Sequence, residues 1–105
     1  MPSAASPIVI LAGARTPMGR FQGGLSPLTA TDLGAAAISG ALGRSGMTGS
    51  DVDFAYLGNV VAAGTGQVPA RRAAADAGIP LTVPSTLLNR ACLSGMHAIH
   101  LASQM

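Results

Sequence analysis

The chain contains a single thiol. Cys92 sits in Leu88-Asn89-Arg90-Ala91-Cys92-Leu93-Ser94-Gly95, where a run suited to a strand gives way to one suited to a helix. At a helix start the first backbone N–H groups lack partners and the dipole places roughly half a positive charge there, which favours a thiolate over a thiol. The same amides could hold the oxyanion formed when such a thiolate attacks a carbonyl. Ser94 and Gly95 are small enough for a substrate to approach the backbone beside them. The chemistry on offer is nucleophilic acyl transfer. The competing reading is a buried structural cysteine, since free Cys is among the most buried residue types.

Neither histidine is placed to serve that thiol. His97 follows Cys92 by five positions, about 500° of helical rotation and ~7 Å along the axis, so it points away from a thiol at the helix start. His100 is farther still. Two histidines three apart could contribute to a metal site, but no third ligand accompanies them, and they read as helix-surface or interface residues. Gly64-Thr65-Gly66 could cradle a phosphate, yet it lacks the Lys and hydroxyl of a P-loop and the full glycine spacing of a dinucleotide fingerprint. A loop with a helix cap is the plainer assignment.

The elements that must position Cys92 follow from the pattern of apolar residues. Ile8-Val9-Ile10-Leu11, between Pro7 and Gly13, reads as a strand buried on both faces. Residues 18–28 hold three Gly and a Pro and read as a loop. From about Ala30, Leu33, Ala37, Ile38, Ala41 and Leu42 share a helical face, with Thr29 or Thr31 as cap, Asp32 in the first turn, and Arg44 then Gly46 at the end. Residues 54–61 form a second strand candidate, weakened by Gly58. A helix begins at Pro69 and runs to Ala77, closed by Gly78 and Pro80. Residues 85–91 read as a third strand, and residues 94–105 as a third helix. Strands alternating with helices in this order imply an α/β fold with a mainly parallel sheet flanked by helices.

Composition narrows the field. Of the 105 residues 49% are hydrophobic and 10% charged, the reverse of the balance that keeps chains disordered. The apolar share rests on 20 Ala beside 14 Gly, with no Trp, one Tyr and two Phe, so large core anchors are few. A chain of this size buries only about 60–70% of its extended surface, so such a thin core is expected to be shared with a partner or with more chain. All six positive residues are Arg and they are scattered, which argues against nucleic acid as a partner despite a net charge of +2. The apolar stretch near the start is cut by Arg15, too short for a secretory signal or a span of about 20 residues. One cysteine permits no intrachain disulfide and suits a reducing compartment, so a soluble cytoplasmic protein is expected.

Three stretches resemble the thiolases, also called acetyl-CoA acetyltransferases or 3-ketoacyl-CoA thiolases. Asn89, Cys92, Ser94, Gly95, Met96, Ala98 and Ile99 occupy the places of that family's N-x-x-C-x-S-G acyl-enzyme signature. Residues 8–17 look like its opening strand with an A-R-T-P ending, and Gly64-Thr65-Gly66-Gln67-Val68-Pro69-Ala70-Arg71 is similar to its G-x-G-Q-x-P-A-R loop and helix start. The likeness spans nearly all of residues 8–105.

The resemblance implies a partial N-terminal half-domain over residues 1–105, with residues 1–7 a flexible N-terminus. It implies that Cys92 takes an acyl group from acyl-CoA as a thioester, and that the product arises by condensation with acetyl-CoA or by cleavage of a 3-ketoacyl-CoA with CoA. CoA is then substrate and product, no cofactor is permanently bound, and the full-length protein is a homo-oligomer, dimeric or tetrameric. Leu93 stands where Gly or Ser is more usual, which bears on acyl chain length rather than on the nucleophile. Arg71 and Arg72 could meet CoA phosphates, but the family holds CoA mainly through a later loop domain, so exposure or an interface ion pair is favoured. The family's G-H-P histidine and C-x-G second cysteine do not occur in this chain. The chain alone is therefore expected to be inactive in turnover. The alternative is an inert truncated remnant that only folds or associates.

Overall fold

The computed structural model describes residues 7–105. Most of the expected flexible N-terminus, residues 1–6, lies outside the described residues. The elements are helix α1 (Ala30–Ser45), a single 3₁₀ turn (Gly49–Asp51), strand β1 (Ala55–Gly58), helix α2 (Pro69–Asp76), strand β2 (Ser85–Leu88) and helix α3 (Ser94–Ser103). No helix among the described residues is long and apolar enough to cross a membrane.

Helix α1 starts where its side chains can satisfy its first amides. The Thr29 hydroxyl accepts from the Asp32 N–H and the Asp32 carboxylate accepts from the Thr29 N–H, a reciprocal capping box. Those two Thr29 donors hold the Asp32 carboxyl below the ordinary carboxylate range, the backbone N–H contributing most. Gly46 closes the helix with φ 74°, a left-handed conformation for which glycine carries no Cβ penalty. Of the two threonines considered as cap, Thr29 is the one used.

β1, α2 and β2 form one βαβ unit. The strands are parallel, with Ala55 opposite Ser85 and Gly58 opposite Leu88. The ladder extends one residue each way, through Ala55 N–H to the Pro84 carbonyl and Asn59 N–H to the Leu88 carbonyl. Parallel neighbours require a crossover, and α2 supplies it. Its inward residues Pro69, Ala70, Ala73 and Ala74 are buried. Close packing is possible because the facing residues are small: a Cβ placed on Gly34 of α1 would lie 3.1 Å from that of Ala73. The core consists of Ala55, Ala74, Ile79 and Val83, flanked by the partly buried Ile38, Leu42, Val52 and Leu57. As the composition anticipates, the buried residues are small or medium-sized.

The structure corrects the sequence reading in one place and trims it in others. Residues 8–11 form no strand, and Ile10 is 79% exposed. β-branched content makes a run capable of pairing, but a strand exists only where a neighbour offers its backbone edge. Among the described residues the sheet has two strands rather than three. The segment that follows is instead pinned to α1: the Arg44 guanidinium donates to the Gly13 carbonyl, and Ala14 packs where Gly40 leaves room. Beside β1, a groove of about 660 Å³ lies between Ile38, Ala41 and Leu42 of α1 and Ala98, Ile99 and Ala102 of α3. β1 and β2 are each four residues long, shorter than the runs 54–61 and 85–91, because ladder pairing ends where each chain turns away.

Candidate active site

β2 delivers the chain to Cys92 through a short turn, and α3 leaves it. Leu93 N–H donates to the Arg90 carbonyl and Ser94 N–H to the Ala91 carbonyl, closing a tight bend ahead of the helix. Ala91 carries φ 50°, one of two non-glycine residues with positive φ among the described residues. Holding an alanine there costs about 1–3 kcal/mol, so neighbouring contacts must enforce it. They do so from both sides. The Ala91 N–H donates to Asn89 Oδ1 at 2.9 Å, and the Ala91 carbonyl accepts the Ser94 hydroxyl at 2.6 Å.

Each of those side chains reaches a second group. The Asn89 amide nitrogen donates to the Val60 carbonyl just past β1, and Ser94 Oγ accepts the Arg90 N–H. The turn is thereby fastened both to itself and to the end of the neighbouring strand. Ser94 is only 5% exposed, while Cys92 is an exposed free thiol. Within this chain Cys92 is thus not packed into the core formed by Ala55, Ala74, Ile79 and Val83. Gly95 is also exposed, as the expected access to the backbone requires.

The end of β1 presses directly on this helix start. A Cβ built on Gly58 would lie 2.7 Å from Ser94 Cβ and 2.8 Å from the Ser94 carbonyl carbon. Only glycine fits, which explains its presence in a strand it otherwise weakens. At the far end of α3, the Tyr56 hydroxyl of β1 contacts Met105 Sδ, and the Tyr56 ring stacks on Phe54 at 4.4 Å.

The remaining candidates make no hydrogen bond to Cys92 among the described residues. The rings of His97 and His100 lie 6.2 Å apart on α3, and His100 Nε2 is 3.3 Å from the Gln104 amide nitrogen. Among the described residues no three of His, Cys, Asp and Glu come together as a metal site would need. Gly64 and Gly66 both have positive φ, and the Thr65 hydroxyl turns back to the Ala62 carbonyl, a self-contained loop ahead of α2. Arg71 donates to the carbonyls of Leu81 and Val83, bracing the approach to β2, and Arg72 pairs with Asp76 one helical turn on. Neither Arg in this arrangement is free of an intrachain partner. Sequence reasoning did not find the Arg71 brace, the Ala91 strain or the Gly58–Ser94 contact.

A family model described as "Thiolase, N-terminal domain" matches residues 8–105. The chain belongs to the thiolase family. Over 97 residues it is 50% identical to a mitochondrial acetyl-CoA acetyltransferase of Danio rerio, covering 92% of this chain and 23% of that one. It is 50% identical over 97 residues to a probable acetyl-CoA acetyltransferase of Mycobacterium tuberculosis, covering 92% and 25% respectively. Among solved structures, an Ascaris suum thiolase in complex with coenzyme A superposes with a TM-score of 0.88 at 36% identity, covering 90% of this chain and 25% of that one. The fold is thus a partial thiolase-like α/β domain, and the chain spans about a quarter of the length of the relatives it matches.

Proposed function

We propose that this chain carries the nucleophile of a CoA-dependent acyltransferase and that Cys92 is that nucleophile. The observation that carries the reading is the exposed Cys92 thiol on a strained turn at the start of α3. In the first step Cys92 Sγ, as thiolate, attacks the thioester carbonyl of an acyl-CoA. The carbonyl–sulfur bond to CoA then breaks, the acyl group stays on Cys92 as a thioester, and CoA leaves as a thiol after gaining a proton. In condensation, the enolate of a second acetyl-CoA displaces Cys92 from the acyl group. In degradation, Cys92 attacks the 3-keto carbonyl of a 3-ketoacyl-CoA, the C2–C3 bond breaks, and the acetyl-CoA enolate leaves and takes up a proton. A second CoA thiolate then displaces Cys92 to carry the acyl group away.

The amides of Leu93 and Ser94 are spent on closing the turn. Those of Cys92 itself and Gly95 are the ones assigned to the developing oxyanion. CoA is substrate and product in this scheme. The base and second proton donor come from the G-H-P and C-x-G motifs implied by the resemblance, in the complete protein. A homo-oligomer, dimeric or tetrameric, is proposed for that protein, in which the exposed apolar residues Val61, Met96 and Ile99 are covered by further chain or by a second copy. The single free thiol suits a reducing compartment, and the cytoplasm is proposed. Relatives named mitochondrial make cell fractionation the deciding measurement.

The alternative, an inert remnant that folds or associates without turnover, draws on one observation: the imidazoles of His97 and His100 lie beside each other and Gln104, on the helix beyond the thiol. Incubation of the protein with acetyl-CoA, followed by peptide mapping, separates the readings. An acetyl group on the Cys92 peptide, lost in Cys92→Ser along with turnover, is the expected result. Normal turnover in Cys92→Ser overturns the nucleophile assignment, and no adduct with no turnover in the wild type favours the remnant.

A further inference from the structure

We propose that Asn89 and Ser94 are positioning residues that hold Ala91 in its left-handed conformation and through it aim Cys92. The inference rests on reading Cys92 as the acyl acceptor. Neither side-chain contact to Ala91 involves the sulfur: Asn89 takes the Ala91 N–H, and the Ser94 hydroxyl donates to the Ala91 carbonyl, which the Ser94 N–H also reaches. Both polar groups of the one strained residue before the thiol are thus gripped by side chains.

Each grip is anchored elsewhere. Asn89 is tied to the Val60 carbonyl, outside the turn, and the Ser94 hydroxyl is buried with its acceptor site filled by the Arg90 N–H. Neither side chain can swing away without losing a second bond. Released from them, Ala91 would relax toward right-handed backbone, a change in φ of about 110°. That rotation lies immediately before Cys92, so it redirects the thiol relative to α3. In the pattern N-x-x-C-x-S the Asn and Ser accordingly act on the residue between them, and the cysteine inherits its direction from that residue.

The test uses the complete protein and three forms: wild type, Ser94→Ala, and Ser94→Ala combined with Ala91→Gly. First-turnover acetylation of Cys92 by acetyl-CoA is followed by mass spectrometry across acetyl-CoA concentrations, and Cys92 alkylation by iodoacetamide is measured in parallel. Ser94→Ala is expected to slow acetylation by about tenfold or more, since a misplacement of 1 Å can cost about a hundredfold. The half-saturating acetyl-CoA concentration should stay within about threefold, because Ser94 is assigned no substrate contact. Adding Ala91→Gly should recover most of the rate, because glycine holds positive φ without a clamp.

An acetylation rate in Ser94→Ala within about twofold of wild type overturns the inference, as does a loss that Ala91→Gly leaves unrepaired. If the wild type takes no acetyl group, the acyl-acceptor reading has failed, and iodoacetamide alone then judges the clamp. Alkylation that changes in Ser94→Ala and returns with Ala91→Gly supports it; alkylation equal in all three forms refutes it.

Discussion

Replacing Gly58 by alanine puts the contact between β1 and α3 under direct strain. The new methyl would sit 2.7 Å from Ser94 Cβ, 2.8 Å from its carbonyl carbon and 3.0 Å from its carbonyl oxygen. Carbon atoms settle at about 3.5–4.0 Å, so the overlap approaches 1 Å. Two of the three clashing atoms are backbone, and no rotamer change at Ser94 relieves them. The start of α3 must retreat, or β1 must tilt, at a cost of about 1–3 kcal/mol for overpacking. A retreat of ~1 Å at Ser94 also drags the turn that presents Cys92, and a displacement of that size slows a positioned reaction by up to about a hundredfold.

Thermal melting and first-turnover acetylation of Cys92 measure the two effects separately in the complete protein. Gly43→Ala is the matched control. Gly43 lies inside α1, a Cβ there meets nothing within 4 Å, and the substitution should stabilise by about 0.5–1 kcal/mol. A Gly58→Ala protein that melts with the wild type and acetylates at its rate would refute the close-approach argument.

Other outcomes follow from the fastenings around the site. Thr29→Ala removes the α1 cap and should cost about 1 kcal/mol in urea unfolding, with Thr29→Ser recovering most of it. Arg71→Gln strips the Leu81 and Val83 carbonyls of their guanidinium partner and should lower stability by about 1–3 kcal/mol, read by hydrogen exchange at β2. Asp32 and Asp51 are held below the usual carboxylate range chiefly by the N–H groups of Thr29 and Thr48, so the native state binds fewer protons than the unfolded chain. Their contribution is fully present above about pH 4 and drains away as pH falls through the lowered values. Asp32→Asn with Asp51→Asn should flatten that acid limb while leaving the profile near neutrality parallel to wild type.

The placement of Cys92 was legible because it depends on a transition rather than a contact: a β-rich run ending in Asn-Arg-Ala-Cys, then small residues and helical periodicity. Gly46 and Pro69, and the α1 start to within the pair Thr29 and Thr31, were legible for a similar reason, since caps and breakers act within a few residues of themselves. Residues 8–11 show the limit of such reading. Their composition states that they can pair, and nothing local states with whom. Ala91 gives no signal, because alanine has no preference for positive φ and is held there by Asn89 and Ser94. Gly58 was visible as a weak point in a strand, but its purpose depends on Ser94, 36 positions away in the chain. Arg71 was weighed against phosphates, while its donors go to carbonyls brought near by the crossover.

The parallel pairing of β1 with β2 also sets an order of assembly. Ala55 and Ser85 meet only after a loop of 30 residues closes, whereas α1 and α2 can form from local contacts. The Asn89 bond to Val60 spans a similar separation, so it cannot form before that closure. A partly folded chain therefore carries its thiol on a flexible turn without a fixed direction. Under the proposed function, acyl transfer to Cys92 is expected to be a late acquisition of folding, and its recovery after dilution from denaturant should follow closure of the crossover rather than growth of the helices.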